Sequence, residues 1–307
     1  MTTDEDKKKS FWSFLSSPKA LNKRIQNDFS GLALTHTFHN YLVTGKRDYH
    51  YLAYFKDKYL FDAKPVIASL GCGNGHLERT LIKDFNYASQ EIHGFDINPH
   101  LVEFANQEST KLGLNNVSYF LMDLDKPQLK HSYYDLIIFF HSLHHVTNLE
   151  NCLTEVKNAM KDSGLLLIVD FIGPSRFQWT DKQLEIAQEL LDIIPSKYKN
   201  ILSSAGTISG HKNKITRQSP DEVAQGDPSE AVRSGDIIPI VANDFRIIEK
   251  KYMGGTLLSL LFHNIAGNFD ETEESDRSII LFLQKMEELT LREAIIESDY
   301  IFLVATK

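Results

Sequence analysis

An α/β fold on a doubly wound, mostly parallel sheet of seven strands is what this sequence predicts, and three observations predict it. From Val66 onward, apolar segments of strand length alternate with amphipathic segments of helix length. The segment at 134–140, Y-D-L-I-I-F-F, carries the apolar run expected of a strand covered on both sheet faces. The first apolar segment ends in three glycines at alternate positions, Gly71, Gly73 and Gly75, with an amphipathic segment directly after them. Repeated β–α units imply parallel strands joined by right-handed crossovers.

The elements follow in order. Residues 1–9 are charged and are expected to form a disordered tail. From 10 to 63 the chain reads as helices separated by Gly31 and Gly45, crowded with aromatic residues. Tyr51, Tyr54, Phe55 and Tyr59 fall near helical spacing, so one face is expected to pack on the core; a lid with a tyrosine hydroxyl at the site is the alternative. Strands are expected at 66–70, 91–97, 117–121, 134–140 and 165–171, and helices at 77–85, 101–112 and 148–161. Pro99, after Asn98, suits the first turn of the second helix. The alternation then breaks. Residues 172–243 hold one helix at 181–191 and a polar, Gly/Ser/Pro-bearing region over 195–228, a length that marks a functional insertion. Strands at 245–251 and 300–306 and helices at 257–265 and 278–296 complete the pattern. The organisation is a tail and helical cover over 1–63 and one α/β domain over 64–307, with 172–243 as an inserted lid or substrate region.

Composition narrows the function. A formal net charge of −8 argues against a large nucleic-acid footprint, which calls for a basic surface. Apolar runs such as 165–169 are no longer than a strand, and the N-terminal residues lack the apolar core of a signal peptide, so the cytoplasm is the expected compartment. The two cysteines, Cys72 and Cys152, suggest neither a disulfide nor a metal framework. No metal is expected.

In a doubly wound sheet, ligands sit outside the carboxyl ends of the strands. The glycine loop stands at the first such end. Glycine there permits positive φ and leaves no Cβ to hold a ligand off, and the following helix points unpaired N–H groups at the loop. A nucleotide-like cofactor fits. Asp96 ends the second strand and can accept from both hydroxyls of a ribose, a device that NAD enzymes share. The third glycine, however, comes one residue earlier than in the G-x-G-x-x-G of dinucleotide dehydrogenases.

The wording L-G-C-G-N-G, Asp96, Met122-Asp123-Leu124 and F-F-H-S-L-H-H-V, in that order across 65–171, resembles the class I S-adenosylmethionine (SAM)-dependent methyltransferases. The resemblance implies a Rossmann-like methyltransferase fold, with the final strand antiparallel, and SAM as cofactor. It implies cofactor contacts from Ser69, Gly71, Cys72, Gly73 and Gly75 in the loop, from Asp96 and Ile97 at the ribose, from Asp123 and Leu124 at the adenine, and from His141. One position departs from the family. An acidic residue usually stands two places before the first glycine and helps hold the methionine amino group; here Ser69 brings a hydroxyl without the charge, so a weaker contact is expected.

Methyl transfer from a sulfonium is an in-line displacement in which the protein orients, desolvates and sometimes supplies a base. His141, His144 and His145 are the candidate catalytic bases, since a near-neutral imidazole suits proton removal at pH 7. Phe177 and Trp179 follow the fifth strand closely and are expected near substrate, with Arg217 and Arg233 as candidate anion contacts. G-P-S-R-F-Q-W, E-A-V-R-S and G-G-T-L-L resemble a bacterial small-molecule branch of the family, which includes secondary-metabolite and saccharide enzymes. The expected reaction is methyl transfer to an oxygen or nitrogen of a small, partly anionic or aromatic acceptor. No nucleic-acid or membrane partner is expected, and a homodimer stays open. An NAD(P)-dependent oxidoreductase is the competing enzyme; the early third glycine and Asp123 count against it. A catalytically inactive SAM-fold binding protein is the competing non-enzyme, kept open by Ser69. An RNA methyltransferase is disfavoured by the acidic balance.

Overall fold

Apolar segments of five to seven residues can bury both faces only inside a sheet with helices on each side, and that is how they assemble. The computed structural model describes residues 27–60, 64–203 and 207–307. Strands β1 (Val66–Leu70), β2 (Glu91–Asp96), β3 (Val117–Leu121), β4 (Tyr134–Phe140) and β5 (Met160–Phe171) pair in parallel. A short ribbon of β6 (Asn200–Leu202) and β7 (Ile208–His211) stands apart. In the main sheet, β8 (Arg246–Gly254) pairs antiparallel with β9 (Tyr300–Thr306), and β9 pairs antiparallel with β5. The order is β3-β2-β1-β4-β5-β9-β8. This is the Rossmann-like methyltransferase fold that the sequence predicts, with its antiparallel last strand.

The limits of β1, β3, β4 and β9 agree with the sequence, β2 ends one residue earlier than expected, and β5 and β8 differ more. β5 begins at Met160 rather than 165, because Met160 already pairs with Tyr134 before a register shift brings Leu165 opposite Leu136. β8 runs on to Gly254, where the left-handed Gly254 and Gly255 turn the chain into the next helix. The ribbon β6–β7 was not expected from the polar region around it. Of the N-terminal reading, the tail at 1–9, the helical segment up to residue 26, and Phe61 lie outside the described residues.

The helices are α1 (Ala33–Thr44), α2 (Tyr51–Phe55), α3 (His76–Lys83), α4 (Pro99–Lys111), α5 (Leu149–Ala159), α6 (Asp181–Ile193), α7 (Pro220–Gly226), α8 (Ile237–Asp244), α9 (Thr256–Phe262) and α10 (Glu274–Arg292). Pro99 opens α4 as expected, and the Asn98 side chain caps it by accepting from the N–H groups of His100 and Leu101. Three cores result. On one face of the sheet, Leu149, Leu153 and Val156 of α5 and Val241 of α8 pack on Ile137, Phe139 and Ile168. On the other, Tyr51, Phe55, Leu81 and Ala105 pack on Ile67, Ile138 and Phe302. The third core joins Phe38 of α1, Leu190 and Leu191 of α6, Leu258 and Leu261 of α9, and Ile280 and Leu283 of α10. The N-terminal aromatics therefore pack, as the periodicity suggests. Tyr54 and Tyr59 turn their hydroxyls to Glu249 of β8, at 2.6 and 2.8 Å, and neither is a lid residue.

Candidate active site

The loop between β1 and α3 lies where the strand order reverses, with β2 on one side and β4 on the other. Gly71, Gly73 and Gly75 all take positive φ, of +76°, +56° and +74°. Their surroundings differ. A Cβ on Gly71 would stand 2.3 Å from the Ser142 Cβ, and one on Gly75 would stand 2.6 Å from the Tyr119 ring. A Cβ on Gly73 would meet nothing within 4 Å. Two glycines thus let the loop lie against the protein, and the middle one leaves bare backbone facing open space. That is the cradle a nucleoside cofactor needs.

Asp96 fixes this loop from β2. Its Oδ2 accepts from the Gly73 N–H at 2.8 Å and its Oδ1 from the Asn98 N–H at 2.9 Å. Burial raises its pKa, and those N–H groups pull it back. Cys72 is buried, and burial holds its thiol in the protonated form. Leu124 lies 3.7 Å from the position of a Gly71 Cβ, so the segment after β3 does reach the loop. Asp123 beside it accepts from the Asp125 N–H at 3.0 Å, and Ile97 is half-buried at the end of β2. Ser69 is buried inside the sheet beneath the loop.

The histidines after β4 separate into different chemical states. The chain turns at His141 with φ +53°, a conformation uncommon for a side chain with a Cβ and one that collects at functional sites. Ser142 then donates its hydroxyl to the Leu70 carbonyl at 2.5 Å. The N–H groups of Ser142 and Leu143 both donate to Oδ2 of the fully buried Asp170, at 2.9 and 2.7 Å. His144 donates Nδ1–H to the other Asp170 oxygen at 2.5 Å, and its Nε2 lies 3.5 Å from Glu230. Burial alone would lower the His144 pKa; Asp170 and Glu230 outweigh it and raise it to about 9. Burial likewise would raise Asp170, but the His144 charge holds it below its usual value. Asp170 and Glu230 thus favour the imidazolium form of His144, a state that disfavours proton uptake by this ring. His145 turns Nδ1 toward Ser229 Oγ at 3.1 Å. His141 is the opposite of His144. The residue is exposed, but the protein packed around its ring lowers its pKa, with Asp170 opposing the shift and His144 adding to it.

Around His141 stands a wall of rings. Tyr300, the first residue of β9, packs edge-on to it at 5.8 Å between centroids. Phe171 meets Tyr300 at 5.4 Å and Phe177 at 5.1 Å, and Phe29 meets Tyr300 at 5.6 Å. Phe177 stacks on Trp179, whose Nε1–H donates to Asp299 at 2.9 Å. His39 of α1 lies 6.3 Å from the Tyr300 ring with a buried Nε2 that has no hydrogen-bond partner, and burial lowers its pKa to about 3. Arg176 and Phe177 both take left-handed φ, and the Arg176 guanidinium clamps the carbonyls of Pro228 and Glu230 at 2.8 and 3.0 Å. That clamp fixes the turn bearing Glu230.

The structure brings Phe177 and Trp179 to this wall but not the two arginines. Arg217 pairs with Asp181 at 2.6 Å. Arg233 grips both oxygens of Glu150, at 2.7 and 2.8 Å, and Asp236 at 2.8 Å. In this structure both guanidinium groups face acidic neighbours, with Asp181 and Glu150 themselves exposed. Sequence reading missed Asp170, Glu230, Tyr300 and His39. The lone acid at the end of L-L-L-I-V-D-F was a usable signal for Asp170, because a buried strand keeps a carboxylate only where it has partners. The other three come together only through the fold. No metal was expected, yet the ligand atoms of His144, His145 and Glu230 lie within 4.8 Å of one another, a set that can hold a divalent ion.

Comparison with known proteins agrees with this geometry. The methyltransferase-domain family matches residues 62–219, just over half of the chain. A malonyl-[acyl-carrier protein] O-methyltransferase of Bacillus cereus is 28% identical over 171 residues, which cover 55% of this chain and 60% of the relative. An aklanonic acid methyltransferase of Streptomyces is 25% identical over 137 residues, covering 43% of this chain and 61% of the relative. The chain thus spans about three-fifths of the length of these two curated relatives. Among solved structures, the geranyl diphosphate C-methyltransferase of Streptomyces coelicolor superposes with a TM-score of 0.57 at 11% identity, over 99% of this chain and 98% of that one. At that identity the likeness is one of fold. Among the described residues, no helix is long and apolar enough to cross a membrane.

Proposed function

Since the chain belongs to the class I SAM-dependent methyltransferases, we propose that its acceptor is a small planar aromatic molecule, methylated at an oxygen or nitrogen and first of all at a phenolic oxygen. The observation that carries this reading is the ring wall of Tyr300, Phe171, Phe177 and Phe29 beside His141. Rings packed edge to face favour a flat ligand through dispersion and quadrupole contacts. The name of the Bacillus cereus relative, an O-methyltransferase, supports an oxygen acceptor.

When bound, SAM supplies an electrophilic methyl group on sulfur. The chain's own part is to hold, orient and desolvate. The open face of Gly73 fits the cofactor, and the loop Gly71, Cys72, Gly73 and Gly75 is assigned to its methionine side. Asp96 and Ile97 are assigned to the ribose, and Asp123 and Leu124 to the adenine. Helices α1 and α6, which share a core with α9 and α10, serve as the cover of the acceptor side. His141 is the base of the three histidines. No ring nitrogen of it is hydrogen-bonded among the described residues, and its lowered pKa keeps it neutral, so it can accept the acceptor's hydroxyl proton as the O–CH3 bond forms and that proton becomes acidic. The His144 cation favours the phenolate as it forms.

The test uses SAM with a trideuterated methyl group and mass spectrometry of the acceptor. His141→Ala is expected to lower kcat on a phenol by about a hundredfold while SAM affinity changes by less than about twofold. Unchanged turnover in that variant removes His141 from the reaction. Labelling of aliphatic amines or sugars in preference to phenols removes the aromatic acceptor.

A further inference from the structure

Beneath the glycine loop, one buried charge is left without a use. Glu78 stands in the first turn of α3, 0% exposed, with both carboxylate oxygens sealed from solvent and lacking a hydrogen-bond partner. A second buried glutamate shows how this molecule satisfies such a group. Glu287, equally buried, accepts from the N–H groups of Gly255 and Leu257, both at 2.7 Å, and of Leu258 at 3.0 Å, at the start of α9. Glu78 has nothing comparable. The groups around it are Ser69 of β1, Cys72 of the loop, Asp96 of β2, Tyr119 of β3 and its neighbour Arg79. Arg79, the cation among them, donates Nη1–H to the Asn74 carbonyl at 2.8 Å and forms no ion pair with Glu78. An uncompensated carboxylate in a low-dielectric interior is costly, and a site that keeps one suits a ligand that brings the positive charge.

We propose that Glu78 is the counter-charge for the ammonium of SAM's methionine portion, supplied from helix α3 in place of an acidic residue at position 69 of β1. Ser69 is short, buried and adjacent to Glu78, so exchanging a strand acid for a helix acid keeps the charge beneath the same loop. Glu78 is a positioning residue and takes no part in bond making. Burial raises its pKa to about 7; the Ser69 hydroxyl and its own N–H oppose this without meeting hydrogen-bond geometry, as does Arg79, while Asp96 adds to it. In the free protein near neutral pH, part of the population is therefore protonated at Glu78. Arrival of an ammonium favours the carboxylate and expels that proton.

This inference rests on SAM as the cofactor and not on the aromatic acceptor, so it is read by binding alone. Wild type, Glu78→Gln and the double variant Glu78→Gln/Ser69→Asp are titrated calorimetrically with SAM, S-adenosylhomocysteine and 5′-methylthioadenosine, which lacks the amino-acid ammonium. Glu78→Gln should weaken SAM and S-adenosylhomocysteine by about ten- to hundredfold and leave methylthioadenosine within about twofold. Ser69→Asp should restore SAM affinity. The free Glu78→Gln protein should melt no lower than wild type, as removal of an uncompensated charge predicts. In wild type, SAM binding below about pH 7 should release a proton, seen as a dependence of the enthalpy on the buffer. Equal weakening of all three ligands, unchanged SAM affinity, or no proton release in wild type would each overturn the proposal.

Discussion

At residue scale, the pair His144–Asp170 makes the sharpest statement about pH. His144 has a folded pKa of about 9 against an ordinary 6.5, so its stabilising contribution is complete below pH 6.5 and is lost as pH rises through 9. Denaturant unfolding should show stability falling across that window, and His144→Gln should remove the slope. Asp170→Asn keeps one carbonyl oxygen for the N–H groups of Ser142 and Leu143 but turns an amide NH2 toward the buried imidazolium, and should cost about 3–5 kcal/mol at pH 6. A cost below about 1 kcal/mol would contradict the ion pair. The histidines themselves were legible in H-S-L-H-H. Their division into a neutral His141 and a charged His144 was not, because it depends on Asp170 and Glu230, 26 and more positions away in the chain.

At the scale of elements, the loop joining β1 and α3 was almost fully readable. Alternate glycines, a strand before them and an amphipathic helix after them are local features, and the predicted limits of β1, β3, β4 and β9 agree with the structure for the same reason. What the spacing could not assign was a separate task to each glycine. Gly71→Ala should destabilise by about 1–3 kcal/mol, because its Cβ meets Ser142 and the backbone is left-handed. Gly73→Val should abolish SAM binding; its Cβ meets only open space, so its cost in stability comes from the left-handed backbone alone, about 1–2 kcal/mol. Thermal melts and calorimetry on the two variants separate these outcomes. If both lost stability equally and still bound SAM, the open face of Gly73 would not be the cofactor's. The insertion was harder to read. Its polar stretch hides the ribbon β6–β7 and the short α7, whose partners are distant, and the exposed-looking Arg217 and Arg233 find acids that only folding brings near.

At the scale of the whole molecule, the sheet sets a reactive edge and a helical layer from three regions of the chain closes on it. Phe29 and α1, Phe177 and α6, and Tyr300 beside α9 and α10 come from opposite ends of the sequence, and the ring wall exists only where they meet. That convergence is why sequence periodicity reported an apolar N-terminal face without its destination. It also carries the central claim, that the chain methylates a flat aromatic acceptor at this wall. The most direct measurement is transfer of a trideuterated methyl group from SAM to a matched panel of planar phenols, aliphatic alcohols and amines, with Tyr300→Ala run in parallel. The account predicts labelled phenols in wild type and a raised KM for them in Tyr300→Ala, with SAM affinity retained. Transfer to the aliphatic acceptors alone, or phenol labelling indifferent to Tyr300, would contradict it.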